Sequence, residues 1–154
     1  MAPGSAARPF SPTAQSFQHD VPGQNLTYSA ALWRLLIAIL SRRIISFSSS
    51  VVGIFNPTYG VYAAAKAAVE AMTHVLLKEL GDRKINVNAI APGPIETGLF
   101  LDDKTDEQIA QVTKLIPFGR LGKPQDIADV VSFLAGPDSH WVTGQVLRAN
   151  GGMI

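Results

Sequence analysis

Short apolar segments alternate with helical segments from Arg43 to the C-terminus, and this alternation constrains the fold more than any other feature of the sequence. Residues 43–47, 85–91 and 145–149 have the length and apolar content of buried strands. Strands that alternate with helices argue for parallel strands joined by helical crossovers. The sequence therefore predicts an α/β fold with a parallel sheet and flanking helices.

Three helices are predicted between or beside these strands. Residues 61–80 are dominated by Ala, Leu, Glu, Lys and Met, and Gly81 follows as a suitable stop. This segment carries few charges, which predicts packing on more than one side. A second helix opens at a capping box from Thr105 to Gln108 and runs to about Leu115. A third runs from Pro124, at its first position, to Leu134.

The N-terminal region has a different character. Residues 1–28 are rich in Pro, Ser, Ala, Gly and Gln and lack apolar periodicity, which predicts a disordered tail. Residues 29–41 predict a short helix, apolar almost all round. Its apolar run contains Arg34 and is about half the roughly 20 residues that span a bilayer, and nothing around it resembles a signal peptide. We expect a cytoplasmic protein that does not enter membranes.

Composition excludes several classes of function. The net charge is +1 and the basic residues do not cluster, so the sequence does not indicate a nucleic-acid-binding surface. The absence of cysteine excludes thiolate catalysis and disulfides, and three scattered histidines form no metal-ligand cluster. Any chemistry must therefore come from oxygen and amine groups.

Tyr62 and Lys66 are four residues apart and so share one face of the predicted helix. A free tyrosine has a pKa near 10, and bringing a phenol to neutrality takes roughly 3 pH units, or about 4 kcal/mol. A neighbouring ammonium supplies charge of the right sign. Such a pair taken alone is a weak signal, because most tyrosine–lysine pairs at this spacing lie on a solvent-exposed helix face.

The surrounding segments make the signal stronger. The hydroxyls Ser48-Ser49-Ser50 follow the first strand, directly before Val51-Val52-Gly53 and ahead of the tyrosine helix. Together with residues 86–94 and 144–152, this order resembles the short-chain dehydrogenase/reductase family over residues 43–154. The resemblance is closest to members that reduce carbonyls, including those similar to 3-oxoacyl carrier-protein reductases. It implies a partial Rossmann-like sheet and an NAD(P)-dependent oxidoreductase that acts on a small carbonyl or alcohol.

The resemblance also implies a role for each catalytic residue. Tyr62 would protonate the carbonyl oxygen as hydride arrives, and Lys66 would lower the tyrosine's pKa and hold the nicotinamide ribose. Ser50 would hydrogen-bond the reacting oxygen. Ser49 competes with Ser50 for this role: the family's usual spacing to the tyrosine favours Ser49, whereas the flanking motif favours Ser50, which we prefer.

The cofactor implied is NAD or NADP, with NADPH favoured. Pro92, Gly93, Pro94 and Ile95 match a segment that passes over the nicotinamide, and Thr97 matches a hydroxyl that meets its carboxamide. The family resemblance makes residues 98–118 a mobile substrate cover, in which residues 99–101 are lid contacts or ordinary core. Core is the favoured interpretation.

One part of the family pattern has no match. Residues 1–42 contain no glycine-rich phosphate-binding turn, so the resemblance implies a truncated domain over residues 29–154 that lacks the N-terminal βαβ units. This leaves two hypotheses. The chain is a nicotinamide-dependent oxidoreductase, or it is a catalytically inactive subunit-assembly module. In the family, the segments that match residues 61–80, residues 124–134 and the last strand build interfaces, which implies a homo-oligomer or association with full-length relatives.

Overall fold

A computed structural model of the chain describes residues 42–154, so the predicted tail over residues 1–28 and the predicted helix over residues 29–41 lie outside the described residues. Three strands form one parallel sheet in the order β1-β2-β3. They are β1 (Arg43–Phe47), β2 (Asn86–Pro92) and β3 (Val146–Ala149). The predicted α/β fold and the three predicted strands are confirmed, with boundaries shifted by one residue at β2 and β3.

The central strand β2 is the core of this sheet. Val87, Ala89 and Ile90 have no exposed surface, and Ala91 is 1% exposed. Because consecutive residues of a strand point to opposite faces, burial of Ala89, Ile90 and Ala91 in succession means that both faces of β2 are covered. This double burial explains why the segment reads as an apolar run broken only by its asparagines.

The helices follow the predicted positions closely. They are α1 (Val51–Ile54), α2 (Gly60–Leu80), α3 (Gly98–Leu101), α4 (Asp106–Lys114) and α5 (Pro124–Ala135), with 3₁₀ turns at Gly81–Arg83 and Pro137–Ser139. The three predicted helices are confirmed as α2, α4 and α5. Among the described residues, no helix is long and apolar enough to cross a membrane.

The helix α2 packs against the sheet on one side only among the described residues. Of its 21 residues only Thr73 is fully buried. Val61, Met72 and Val75 are 88%, 47% and 54% exposed. The prediction that this helix packs on more than one side is therefore wrong within the described part, and its few charges reflect an uncovered apolar face.

Two asparagines on β2 hold the loop that leads into β3. Asn86 Nδ2 shares its two protons among the carbonyls of Ser139, His140 and Val142, at 3.1, 3.1 and 3.0 Å. Asn88 Nδ2 donates to Val142 O at 2.8 Å, and Asn88 Oδ1 accepts from the Gln145 amide at 3.0 Å. These bonds satisfy loop carbonyls that would otherwise lie unpaired beside the sheet, and so fix the point where β3 begins.

Candidate active site

The polar segments singled out in the sequence meet at one edge of the sheet. All three strands are parallel, so their carboxyl ends lie together, and this edge is where open α/β sheets bind ligands. Ser48, Ser49 and Ser50 follow β1, Gly93 follows β2, and Asn150 follows β3. Hydrogen bonds from the Ser50 amide to Pro92 O at 2.9 Å and from the Gly93 amide to Ala149 O at 3.0 Å join the three ends.

Tyr62 and Lys66 lie together as predicted. Tyr62 is in the first turn of α2 and is 47% exposed. Lys66 Nζ is 5.7 Å from the centroid of the Tyr62 ring, within the range of a cation–π contact. Tyr59 packs edge-on against the same ring, with 6.3 Å between the ring centroids. The phenol therefore has an ammonium on one side and an open path to solvent.

The Lys66 ammonium is also held by the end of β1. Lys66 Nζ donates a hydrogen bond to Phe47 O at 3.1 Å. An ammonium carries three N–H donors, so the described residues leave two of them for a ligand. The last residue of β1 thus sets the direction of the lysine that accompanies the tyrosine.

The two candidate serines differ in whether their proton is free. Ser50 is 1% exposed, and its hydroxyl donates to Ala91 O at 3.2 Å while accepting from Asn150 Nδ2 at 3.0 Å. A hydroxyl has one proton, so in this conformation Ser50 has none left for a reacting oxygen. Ser49 is half-buried, and its Oγ accepts from the Val51 amide at 3.3 Å. Within the described part of the chain, neither serine is hydrogen-bonded to Tyr62.

The predicted cofactor segment, residues 92–97, runs from the last residue of β2 into a loop held in place by backbone hydrogen bonds. A Cβ at Gly93 would lie 2.9 Å from both Cα and Cβ of Asn150, so only glycine permits the close approach of β2 and β3 here. Beyond it, Gly122 N donates to Pro94 O at 2.9 Å and Glu96 N donates to Gly122 O at 2.8 Å. The segment that ends β2 is therefore also a short bridge to the segment before α5.

Thr97 immediately precedes the short helix α3. Its amide donates to Ile95 O at 2.7 Å, and its hydroxyl lies 3.4 Å from the same carbonyl. The threonine is half-buried and folded back onto its own loop. A ligand that takes the hydroxyl proton would replace this long contact, whereas a ligand that donates could bond to the hydroxyl oxygen without breaking it.

A cavity of about 330 Å³ opens beside this loop. The loop contributes Pro94 and Ile95 to the lining. Tyr62, Lys66 and Ser50 do not line it, so the cavity and the tyrosine–lysine pair are separate parts of the strand-end region. The other lining residues are Phe118, Arg120, Gly122, Asp126, Arg148, Ala149, Asn150, Gly151 and Gly152.

An ion pair that the sequence interpretation missed stands at this cavity. Arg120 and Asp126 bond through two atom pairs, Nη1 to Oδ2 at 2.7 Å and Nη2 to Oδ1 at 3.0 Å. Asp126 Oδ2 also accepts from the Lys123 amide at 2.7 Å. The Arg120 guanidinium and the Lys123 amide together lower the pKa of Asp126 to about 2. An acidic residue in the first turn after Pro124 was the available signal, because it commonly caps a helix start.

The stretch assigned as a substrate cover is strongly exposed. Leu99 is 99% exposed, Leu115 65% and Phe118 76%. The favoured interpretation of residues 99–101 as core is wrong for Leu99, while Phe100 and Leu101 are half-buried. These apolar side chains therefore lie in solvent on the segment between β2 and α5.

A parallel α/β sheet with serines at one strand end and a tyrosine–lysine helix beside it has the architecture of nicotinamide-dependent dehydrogenases and reductases. A family model described as enoyl-(acyl carrier protein) reductase matches residues 15–154. Together with the relatives below, this match shows that the chain belongs to the short-chain dehydrogenase/reductase family.

Three known proteins illustrate the similarity. A 3-oxoacyl-[acyl-carrier-protein] reductase of Thermotoga maritima is 50% identical over 109 residues, which are 69% of this chain and 43% of that protein. An NADPH-dependent aldehyde reductase-like chloroplastic protein of Arabidopsis thaliana is 46% identical over 112 residues, 73% of this chain and 42% of that protein. The crystal structure of the angucycline C-6 ketoreductase LanV with bound NADP has a TM-score of 0.72 and 32% identity, covering 80% of this chain and 49% of that one.

These matches cover less than half of each of the three proteins. The chain therefore spans about half the length of the relatives it matches. Activity, cofactor and partners belong to whole proteins, and for this chain they are proposals.

Proposed function

We propose that this chain carries the proton-transfer site of an NADP(H)-dependent oxidoreductase that interconverts a small carbonyl compound and its alcohol. The observation that carries the proposal is the position of the Lys66 ammonium, 5.7 Å from the centroid of the Tyr62 ring at the ligand-binding edge of the sheet. This contact places the group that would exchange the proton next to the lysine, at the edge of the sheet where ligands bind.

The residues present fit a nicotinamide. Pro94 and Ile95 line an open cavity next to the ends of β2 and β3, and Lys66 keeps two N–H donors for ribose hydroxyls. We propose that Pro92, Gly93, Pro94, Ile95 and Thr97 face the nicotinamide. When bound, the cofactor supplies hydride to the carbonyl carbon. Tyr62 supplies the proton to the carbonyl oxygen, which together with the hydride completes the alcohol.

NADP(H) is preferred over NAD(H) on the strength of the relatives. The Arabidopsis thaliana protein is named as NADPH-dependent, and the LanV ketoreductase structure holds NADP. The names of both also support an aldehyde or ketone as the substrate class.

The serine that donates to the carbonyl oxygen is Ser49 or Ser50. Motif resemblance favours Ser50, but its proton is committed to Ala91 O. The Ser49 proton has no acceptor among the described residues, so we propose Ser49 as the donor in this conformation and Ser50 as a residue that fixes the strand ends. If this is right, Ser49→Ala loses more turnover than Ser50→Ala in a variant pair of equal stability. The reverse order would restore the Ser50 assignment.

The test of the proposed function is NADPH oxidation with a panel of small aldehydes and ketones, using the full 154-residue chain. Tyr62→Phe removes the transferable proton and should reduce turnover by at least about 100-fold, the scale of general acid catalysis. Tyr59→Phe is the matched control, because Tyr59 packs on the same ring and should retain turnover. Turnover by Tyr62→Phe at the parent rate would refute the mechanism.

A second candidate function is supported by the exposed face of α2. Val61, Ala65, Ala68, Met72 and Val75 recur at alternating steps of four and three residues, and all five are exposed. This spacing is the seam along which two helices pack in a coiled coil or bundle. We propose that the face joins a second copy of the chain or a full-length relative, in addition to catalysis or in place of it.

A further inference from the structure

Lys66 and Glu70 have opposite charges, stand four residues apart on α2, and yet form no ion pair. Side chains at this spacing are neighbours on a helix surface and usually attract one another. The only ion pair between described residues joins Arg120 with Asp126. Some other contact must therefore hold each of the two α2 side chains.

The carboxylate is held by Ser48. Ser48 Oγ donates to Glu70 Oε1 at 2.7 Å, and it lies 3.2 Å from Lys66 O. The nearer and charged acceptor takes most of the single hydroxyl proton. Ser48 is 4% exposed and its amide donates to Ile90 O at 2.7 Å, so the sheet fixes the position from which the hydroxyl reaches Glu70.

The ammonium is held by the preceding residue. Lys66 Nζ donates to Phe47 O at 3.1 Å. The last residue of β1 and the residue that follows it thus hold two charged side chains of α2 apart. The backbone carbonyl of Phe47 holds the cation, and the side chain of Ser48 holds the anion.

We propose that Ser48 and Glu70 form a positioning pair, in which Ser48 holds the Glu70 carboxylate so that it does not draw the Lys66 ammonium away from Tyr62. Without the Ser48 hydroxyl, the Glu70 carboxylate becomes free to pair with Lys66 and draws the ammonium along the helix, away from the Tyr62 ring. Neither residue touches the reacting atoms. The catalytic importance of this pair rests on the proposed function, whereas the position of the ammonium can be measured without it.

The experiment is competitive acetylation of the full chain with trace acetic anhydride, read by mass spectrometry as the rate at Lys66 relative to Lys78. Lys78 lies on the same helix and is exposed, so it reports general changes in α2. Ser48→Ala should slow Lys66 about twofold, the effect of one ion pair at this helix spacing. Glu70→Gln should leave Lys66 at the parent rate, because the amide oxygen still accepts from Ser48 and carries no charge.

The decisive variant is the double substitution Ser48→Ala with Glu70→Gln. It lacks the carboxylate that competes for the ammonium, so Lys66 should return to the parent rate. A purely structural role for Ser48 predicts instead that the double variant is as slow as Ser48→Ala or slower, which would overturn the proposal. Glu70→Asp is a second route to the same state if Ser48→Ala folds poorly, since its shorter side chain retracts from Ser48 and should also slow Lys66.

Turnover of NADPH by the same variants distinguishes failure of the proposed function from failure of the positioning pair. If the acetylation pattern appears and no variant or parent chain turns over, the proposed function fails and the positioning pair stands. If the parent chain turns over and Ser48→Ala leaves both Lys66 acetylation and turnover unchanged, the positioning pair fails alone.

Discussion

Single residues of the site differ in how far the sequence could place them. The proximity of Tyr62 and Lys66 was predicted correctly, because a helix fixes the relation between positions four apart. The serines could not be ranked from sequence, since their difference lies in one proton: Ser50 donates to Ala91 O on another strand. The role of Asn150 was also missed, because its contact with Ser50 joins residues 100 positions apart. Contacts of that kind depend on the assembled sheet.

At the residue scale, Asp126 should make stability depend on pH in the acid range. Its pKa falls from the ordinary 3.8 to about 2 because the folded chain surrounds the carboxylate with donors. A depressed carboxyl pKa contributes stability above the unfolded value and loses it as pH falls through the folded value. Asp126→Asn should therefore lower the melting temperature equally from pH 7 to about 4, with the difference from the parent shrinking between pH 4 and 2.

Thermal melts across this pH range check the Asp126 prediction. The pair is exposed, so 0.5 M salt should weaken the difference at pH 7. A difference that grows as pH falls below 4 would contradict the assigned ion pair.

Elements were predictable where they are long enough to show a period or a cap. The helices α2, α4 and α5 and all three strands were placed from periodicity and end signals. The four-residue helices α1 and α3 were missed because a single turn shows no periodicity. Gly81 marked the end of α2 correctly, although its φ of −59° is ordinary and the left-handed residue is Lys84, with φ 56°. The chain leaves α2 through a 3₁₀ turn, which the sequence did not indicate.

At the element scale, the start of α4 depends on its capping box. The Thr105 hydroxyl accepts from the Gln108 amide at 3.3 Å, and Gln108 Oε1 accepts from the Thr105 amide at 3.0 Å. Thr105→Ala should cost about 1 kcal/mol of unfolding free energy. Urea denaturation measures this loss, and Thr105→Ser, which keeps the hydroxyl, is the control. Equal losses in both variants would mean that the cap contributes nothing.

On the scale of the whole molecule, α2 has a side that no described residue covers. The sequence predicted that the helix packs on more than one side, but it did not predict what packs there. The composition of the helix indicated burial, and the structure shows that the described residues do not supply it. A pattern of apolar residues reports that a face is to be covered. It does not show whether the residues that cover this face belong to the same chain or to another. For that reason the sequence could suggest the assembly hypothesis but could not decide it.

If that face joins a second copy of the chain, a charge in its centre should separate the copies. Val75→Lys places an ammonium in the seam and should shift the chain to monomer in sedimentation velocity runs. His74→Lys is the matched control, since His74 is exposed on the same helix outside the seam. A parent chain that stays monomeric at every concentration, and that does not bind a full-length relative, would contradict the assembly role.

The most direct test of the central claim, that residues 42–154 hold a nicotinamide beside Tyr62, is a titration of the purified chain with NADPH and NADH. Nicotinamide fluorescence and the melting temperature are followed together. The account predicts saturable binding of NADPH, weaker binding of NADH, and a melting temperature that rises with ligand concentration, as binding to the folded state requires. No change in fluorescence or melting temperature with either dinucleotide would contradict it.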